Sequence, residues 1–415
     1  MVSIRKSLAP GKEDMKIEFP EGTPGIHPPT AALKRILQFK GVKNPITGEP
    51  YSEAMLLGVG GGLDTGYILF QFQHLPNPML VLGFRNQWNN TSAFLENLTN
   101  RLYLKVQFRE FDERSTAQKA LRETIIQEKP AIVWVDKAFL PYHRLPESLK
   151  GYINYQVAVY ARDGRLWRLY LDDMSTQPIE IREKVFTTAR ANLSQNNFLM
   201  MVFEKAQKIN TRELRESIIE GIRDCATQLT RPVKTVGISN LENWAEKLTN
   251  RSDRQGWSHI FKDQVGLFPV LRVIYESIKL NGTGGFALRK LYADFLHETA
   301  GILGNPGLNA VAGQYLQLSN HWSNLADNAL PSKFPVFDKV KNLLNKQYKA
   351  YRDYNFTEYK KSLNDLQDLE AKINADFPLN SYETSKLFER LSSQLKLISE
   401  LEMSAALRLR DVTRR

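Results

Sequence analysis

Cysteine is almost absent from this chain of 415 residues: there is one, Cys225. A lone cysteine excludes an internal disulfide and any zinc site built on several thiolates. Long apolar runs are also missing. None approaches the roughly 20 residues that a bilayer span requires. Met1 to Lys16 is polar and lacks an apolar signal core, so the expectation is no secretory leader and a cytoplasmic location. Glycosylation triplets such as Asn97-Leu98-Thr99 then carry no meaning. No internal repeat or low-complexity tract occurs. Nor is there a dense basic block beyond the tail residues Arg408, Arg410, Arg414 and Arg415. Without such a block or a recognisable motif, nucleic acid is not an expected partner.

What is present supports a folded, multidomain chain. Hydrophobic residues make up 42%, which is enough for a sizeable core. The length allows two or three domains. The formal charge of +11 attracts acidic partners in general and says little about fold.

Residues 1–24 are charged and carry several Pro and Gly, and read as a flexible arm. Residues 30–40 read as an amphipathic helix whose first turn suits Pro28 and Pro29. Short apolar runs at 78–83, 131–136, 155–161, 166–171 and 198–203 read as strands, the third and fourth joined as a hairpin through Asp163-Gly164. A helix is expected from Ser115, as N-cap, to Gln127. After residue 208 the pattern becomes helical, over 211–229, 239–249, 264–280, 285–303 and 308–327. Two long helices, about 336–375 and 381–411, follow Pro335. Leu363, Leu366, Leu369, Ile373 and Phe377 recur at helical spacing, as do Leu387, Leu391, Leu395, Ile398 and Leu401. They predict a long antiparallel hairpin with one apolar seam, a surface through which two copies could associate. The fold class is therefore α+β: a mixed domain over 25–205, a helical domain over 206–330, and a hairpin over 331–415.

Several motifs lose their chemistry on inspection. Gly58-Val59-Gly60-Gly61-Gly62 has Leu63 where a dinucleotide loop wants its third glycine, and a P-loop lysine is missing. A sharp backbone turn explains these glycines better. His297-Glu298 has Gly301 where a zinc helix would place a second histidine. Lys290 and Asp294 form an i,i+4 pair, and with Arg289 and His297 they make either a salt network or a pocket wall. No cofactor and no metal site is expected.

The segment His27-Pro28-Pro29-Thr30-Ala31-Ala32-Leu33, then Ser52-Glu53, then the glycine run ending at Tyr67, resembles the opening of the butirosin biosynthesis protein H family. Pro130 to Asp136 with Leu140-Pro141-Tyr142, Tyr155-Gln156-Val157, Leu171-Asp172-Asp173 and Ala189-Arg190 continue the likeness. Gly284 to Glu298 and His321-Trp322 are similar to an uncharacterised helical domain that commonly follows it. The resemblance implies a papain-like acyltransferase fold that moves an acyl group from a carrier protein onto an amine. It also implies where the chemistry should sit: a cysteine after His27, a histidine opening the strand at 155, and an acid at 172 or 173. This chain has Pro28 and Tyr155 at the first two places.

Ordinary acyl-enzyme chemistry needs a thiolate at a helix start and a histidine to take its proton. Both are replaced, and Cys225 sits mid-helix outside the domain. Thr30 with His27 as base is a conceivable substitute pair, and Tyr155 could hydrogen-bond an acyl oxygen. The cleft and its ligand site are thus expected around His27, Pro28, Thr30, Gly60, Gly61, Tyr155, Gln156, Asp172 and Asp173. Tyr155 is expected to reach over the start of the first helix. Two functions remain open. One is a non-catalytic protein that binds an acyl or peptidyl group, an acidic acyl carrier protein or a partner enzyme. The other is an enzyme that processes an amide or thioester by placing an amine beside it, without a cysteine intermediate.

Overall fold

A computed structural model describes residues 24–71, 77–90, 92–145, 147–193, 198–206 and 209–414. All but the last residue of the expected arm over 1–24 falls outside the described residues. The chain forms two compact units, residues 1–43 with 104–207, and residues 44–103 with 208–415. These do not follow the sequential boundaries read from the sequence. Residues 44–103 cluster with the helical part and interrupt the mixed part.

The first unit is a six-stranded sheet with helices. Its helices are α1 (Pro28–Phe39), α4 (Arg114–Ile126) and α5 (Glu183–Ala191). Its strands are β3 (Leu104–Arg109), β4 (Ala131–Asp136), β5 (Asn154–Asp163), β6 (Arg168–Asp172), β7 (Ile179–Arg182) and β8 (Met200–Ala206). Their order is β3-β8-β4-β5-β6-β7, and every neighbouring pair is antiparallel. The continuous apolar run of β4 leaves all six of its residues buried, as a central strand covered on both faces requires. α1 starts at Pro28, as its two prolines predict, and buries Ala31, Ala32, Leu33, Ile36 and Leu37. It packs against β5. The β5–β6 hairpin forms, with the Asp163 carboxylate accepting from the N–H groups of Arg165 and Leu166, each at 3.0 Å. The N-cap of α4 lies two residues earlier than expected, at Glu113 rather than Ser115, whose hydroxyl instead lies 3.4 Å from the Glu113 carboxylate.

The second unit carries a β-ribbon, β1 (Leu63–Phe70) with β2 (Met79–Arg85), and the helices α2 (Glu53–Val59), α3 (Ala93–Arg101), α6 (Thr211–Leu229), α7 (Ile238–Thr249), α8 (Trp257–Ile260), α9 (Leu267–Lys279), α10 (Arg289–Leu303), α11 (Gly307–Ala329), α12 (Pro335–Arg352), α13 (Phe356–Ala375) and α14 (Ser381–Val412). No strand lies beyond Ala206 among the described residues. None of the described helices is long and apolar enough to cross a membrane.

The expected long hairpin is corrected in two respects. The helix read over 336–375 breaks at Tyr354, whose φ is 59°, and restarts where the Asn355 side chain caps the N–H of Glu358 at 3.1 Å. α12 and α13 therefore form a hairpin of their own. α14 packs on α7, α11 and α6, and Leu387, Leu391, Leu395 and Ile398 are buried there. The α14 half of the expected seam is thus covered by other helices of the same unit. One buried ion pair pins α14. Arg289 Nε donates to Glu402 Oε1 at 2.7 Å, with both side chains fully buried. Trp322 Nε1 donates to the same oxygen at 2.9 Å.

Candidate functional site

The groups that gather in the first unit centre on Asp173, directly after β6. Tyr155 Oη donates to its Oδ1 at 2.6 Å, and Tyr142 Oη donates to its Oδ2 at 2.8 Å. His143 Nε2 lies 2.9 Å from the same Oδ2. The sequence places these groups by simple means. Tyr155 is the second residue of β5, paired with Val135. Tyr142 and His143 follow a 3₁₀ turn, Lys137–Phe139, which Asp136 opens by accepting from the N–H of Ala138 at 2.9 Å. Lys137 Nζ then stands 4.5 Å from the centre of the Tyr155 ring.

The electrostatics of Asp173 are those of a held anion. Burial pushes its carboxyl up, but His143, the Tyr155 hydroxyl and Lys137 outweigh this and hold it down at about 2. Burial pushes His143 down to about 4, aided by Lys137 and opposed by Asp173. Tyr142 is raised well above its ordinary value by burial and by the Asp173 charge. Near neutrality the group is therefore an ionised carboxylate and a neutral imidazole, with both tyrosine hydroxyls donating to the carboxylate. A neutral imidazole facing a carboxylate keeps its proton on Nε2.

The residues expected from sequence divide accordingly. Tyr155 and Asp173 meet. Asp172 does not join them: its carboxylate pairs with Arg35 of α1 at 3.0 Å. Gln156 is the strand neighbour of Tyr155, so its side chain leaves the opposite face of the sheet. It donates weakly to Asn154, at 3.4 Å. Pro28 opens α1. His27 and Thr30 do touch, Nδ1 to Oγ1 at 3.1 Å, but the Thr30 hydroxyl is fully buried and also reaches the His27 carbonyl at 3.1 Å. That contact closes the first turn of α1.

Gly60 and Gly61 belong to the second unit. A side chain on Gly61, where φ is 110°, would meet Asn86 Nδ2 at 2.6 Å and Asp224 Oδ2 at 2.7 Å. One on Gly60 would meet the Phe94 ring at 2.5 Å. The glycines allow close packing of the turn after α2, and no phosphate cradle is implied. Cys225 is fully buried in α6. It accepts from the N–H of Leu63 at 3.3 Å, and burial pushes its thiol up to about 12. Lys290 and Asp294 form the exposed i,i+4 pair at 2.8 Å, while Arg289 turns inward to Glu402. His297 lies 2.8 Å from Asn309 Oδ1, apart from Arg289. No group of three metal-binding side chains occurs among the described residues. Ala189-Arg190 proves architectural, since buried Arg190 donates to the carbonyls of Ala117 and Phe198 at 3.1 and 2.7 Å.

His143 was not singled out from sequence. The only available signal was its position directly after Leu140-Pro141-Tyr142, because its partner lies 30 residues away.

Comparison with family models accounts for most of this chain. Residues 27–174 match the model described as Butirosin biosynthesis protein H, N-terminal. The N-terminal part of the chain is therefore similar to that family over this span. Residues 187–376 match a domain of unknown function. No curated protein matches the chain significantly. The butirosin-biosynthesis-H domain contains every member of the Asp173 group, and its match ends one residue after Asp173. The second match runs past residue 330 to take in α12 and most of the residues read from sequence as the hairpin, but stops short of α14.

Proposed function

We propose that the N-terminal unit accommodates an acyl or peptidyl group, offered as a thioester or amide by an acidic carrier-type partner, and does so without a cysteine acyl-enzyme. The observation that carries this reading is the state of Asp173. The acidic position of the family is present, and the hydroxyl of Tyr155 fills the place where the resemblance puts a histidine. Pro28 at the helix start supplies no nucleophile. The one thiol of the chain is buried and held protonated far above neutral pH. The charge of +11 favours an acidic partner and makes its association salt-dependent.

Tyr155 has a single hydroxyl proton, and it is committed to Asp173. Donation to an acyl oxygen would require giving up that bond, so the reading leaves Tyr155 as the residue that fixes the carboxylate. A second reading, direct transfer of the acyl group to an amine, is favoured by one observation, the imidazole of His143 beside Asp173.

The test is intact mass spectrometry after incubation with an acyl thioester, together with titration calorimetry. Binding without any gain in mass is expected. A stable adduct that disappears in Cys225→Ala would overturn the reading, as would absence of binding to both thioester and carrier.

A further inference from the structure

We infer that the edge strand β3 (Leu104–Arg109) is a docking site for an extended acidic segment of a partner protein, which adds to the sheet as a further strand. The choice of occupant rests on the acidic-partner reading above, and the inference names the surface that holds such a partner.

The strand order leaves two edges among the described residues, β3 and β7. β7 has four residues, and its exposed side carries both signs of charge, Glu180 and Arg182, with Glu180 paired to Arg168 at 2.7 Å. A short edge of mixed charge is a poor template. β3 has six residues and holds neither proline nor glycine. The irregularity in its pairing with β8 leaves Glu204 as the extra residue, on β8, so β3 itself runs unbroken. Backbone N–H and C=O groups of alternate β3 residues therefore point away from β8, ready for another strand.

The side chains of β3 sort by the two-residue period of a strand. Leu104, Val106 and Phe108 share the face that packs, with the Phe108 ring centre 6.2 Å from that of Trp134. Lys105, Gln107 and Arg109 are all exposed on the other face. Lys205 of β8 is exposed too and stands directly opposite Lys105. Like charges placed opposite each other destabilise a strand pair. Among the described residues no ion pair neutralises Lys105, Lys205 or Arg109, and Glu204, next to Lys205, is held by Lys129 at 3.1 Å. Glu110 lies beyond the end of the strand.

This pattern selects its occupant. A second copy docking edge to edge would set Lys105 and Arg109 of each chain against those of the other, and repulsion opposes that dimer. An acidic strand meets attraction instead. Its carboxylates stand beside Lys105 and Arg109, its backbone pairs with the outward N–H and C=O groups, and the Lys105–Lys205 repulsion is relieved. Backbone pairing supplies affinity in such strand addition, and the alternate side chains supply specificity.

The experiment uses the full chain and two capped heptapeptides, one alternating glutamate with valine and the other lysine with valine. Fluorescence anisotropy is expected to show binding of the glutamate peptide alone, weakening as salt is added. Hydrogen exchange over residues 104–109 should slow when it binds. Lys105→Glu with Arg109→Glu changes only exposed side chains, and circular dichroism checks the fold. It should weaken the glutamate peptide by roughly tenfold, as two cross-strand charge pairs turn from attraction to repulsion, and admit the lysine peptide. N-methylation of alternate residues of the glutamate peptide should abolish binding, which charge attraction without strand pairing would survive. Equal binding of both peptides, indifference to the charge reversal, or survival of N-methylation overturns the inference. So does slow exchange over 104–109 before any peptide is added, since the chain then covers its own edge. A dimer in sedimentation that the charge reversal dissolves assigns the edge to a second copy and overturns it as well. Thioester binding by calorimetry with no peptide binding overturns the inference alone. Peptide binding with neither thioester nor carrier bound supports the edge site and removes only the acyl reading.

Discussion

Replacing Glu402 by alanine should strip the second unit of much of its stability. Arg289 is fully buried, and Glu402 is its direct ion-pair partner among the described residues, with the Asp64 carboxylate acting on it at longer range. The remaining acceptors of its guanidinium are the carbonyls of Ala287 at 2.8 Å and Asp64 at 3.1 Å. Carbonyls satisfy donors but do not neutralise charge. Removing one member of a buried pair costs about 3–5 kcal/mol, because the survivor is left charged in a medium of low dielectric. Trp322 Nε1 loses its acceptor in the same change. A buried donor left unpaired costs about 1–3 kcal/mol. The two losses share a cavity and do not simply add, so the expected total is about 4–6 kcal/mol. Against the roughly 5–15 kcal/mol that holds a domain together, that is a large fraction.

Urea unfolding followed by tryptophan fluorescence reads this directly, since Trp244, Trp257 and Trp322 are all buried in this unit. With a slope of about 3 kcal/mol per molar, the midpoint should fall by about 1.3–2 M. Glu402→Gln keeps an acceptor for Trp322 and should cost less. The double variant Arg289→Met with Glu402→Leu should cost under half as much as Glu402→Ala, because it leaves no uncompensated charge. A Glu402→Ala loss below about 1 kcal/mol, or a double variant as damaging as the single, would refute the account.

Two further changes probe the same unit. Burial lifts Asp64 from its ordinary 3.8 to about 6, so its contribution to stability is present below about pH 4 and fades as pH rises through about 6. Asp64→Asn should abolish that slope, with Gln228 turning its unpaired Oε1 toward the new amide, and a wild-type-minus-variant midpoint flat from pH 4 to 6.5 would count against it. Gly66 and Gly83 are cross-strand partners, and the Trp88 indole lies across the space where their side chains would stand. Gly83→Ala should cost about 1–3 kcal/mol by overpacking, measured by the same unfolding assay, and a cost under about 0.5 kcal/mol would show that the indole moves aside.

How far the sequence revealed the structure depended on what each pattern encodes. A continuous apolar run encodes burial on both faces, and β4 spans the predicted residues 131–136. The helical pattern placed α6 at 211–229, and Asn210 with Glu213 forms a capping box at its start. Periodicity encodes a buried face but not its partner. Leu387 to Ile398 do form a seam, yet it faces α7, α11 and α6 rather than α13. The break at Tyr354 was legible only as the weaker signal Asn355-x-x-Glu358, inside a run of good helix formers. The discontinuous units had no local signature at all, because they follow from close approaches such as that of the α2 turn to Cys225 and Tyr292, which Gly62 permits. In the candidate site, Tyr155 and Asp173 were legible through the family pattern. His143 was not, since a side chain from a loop carries no spacing relation to a strand end 30 residues on.

Energetics also separate a retained site from a pocket merely filled in. Where a nucleophile and its base are replaced, the cheapest repair of the space is apolar, because a buried carboxylate must be compensated by donors or charge. This chain does the opposite around Asp173. The carboxylate is fully buried, and it is held by two phenols and an imidazole. Keeping such a group folded requires every donor to be in place, so loss of any one should loosen the rest. The result is a fixed anion, an oriented neutral imidazole and a nearby lysine within one small volume. The polar group at Asp173 is therefore a buried anion compensated by three donors, and the helix start at Pro28 offers it no thiol.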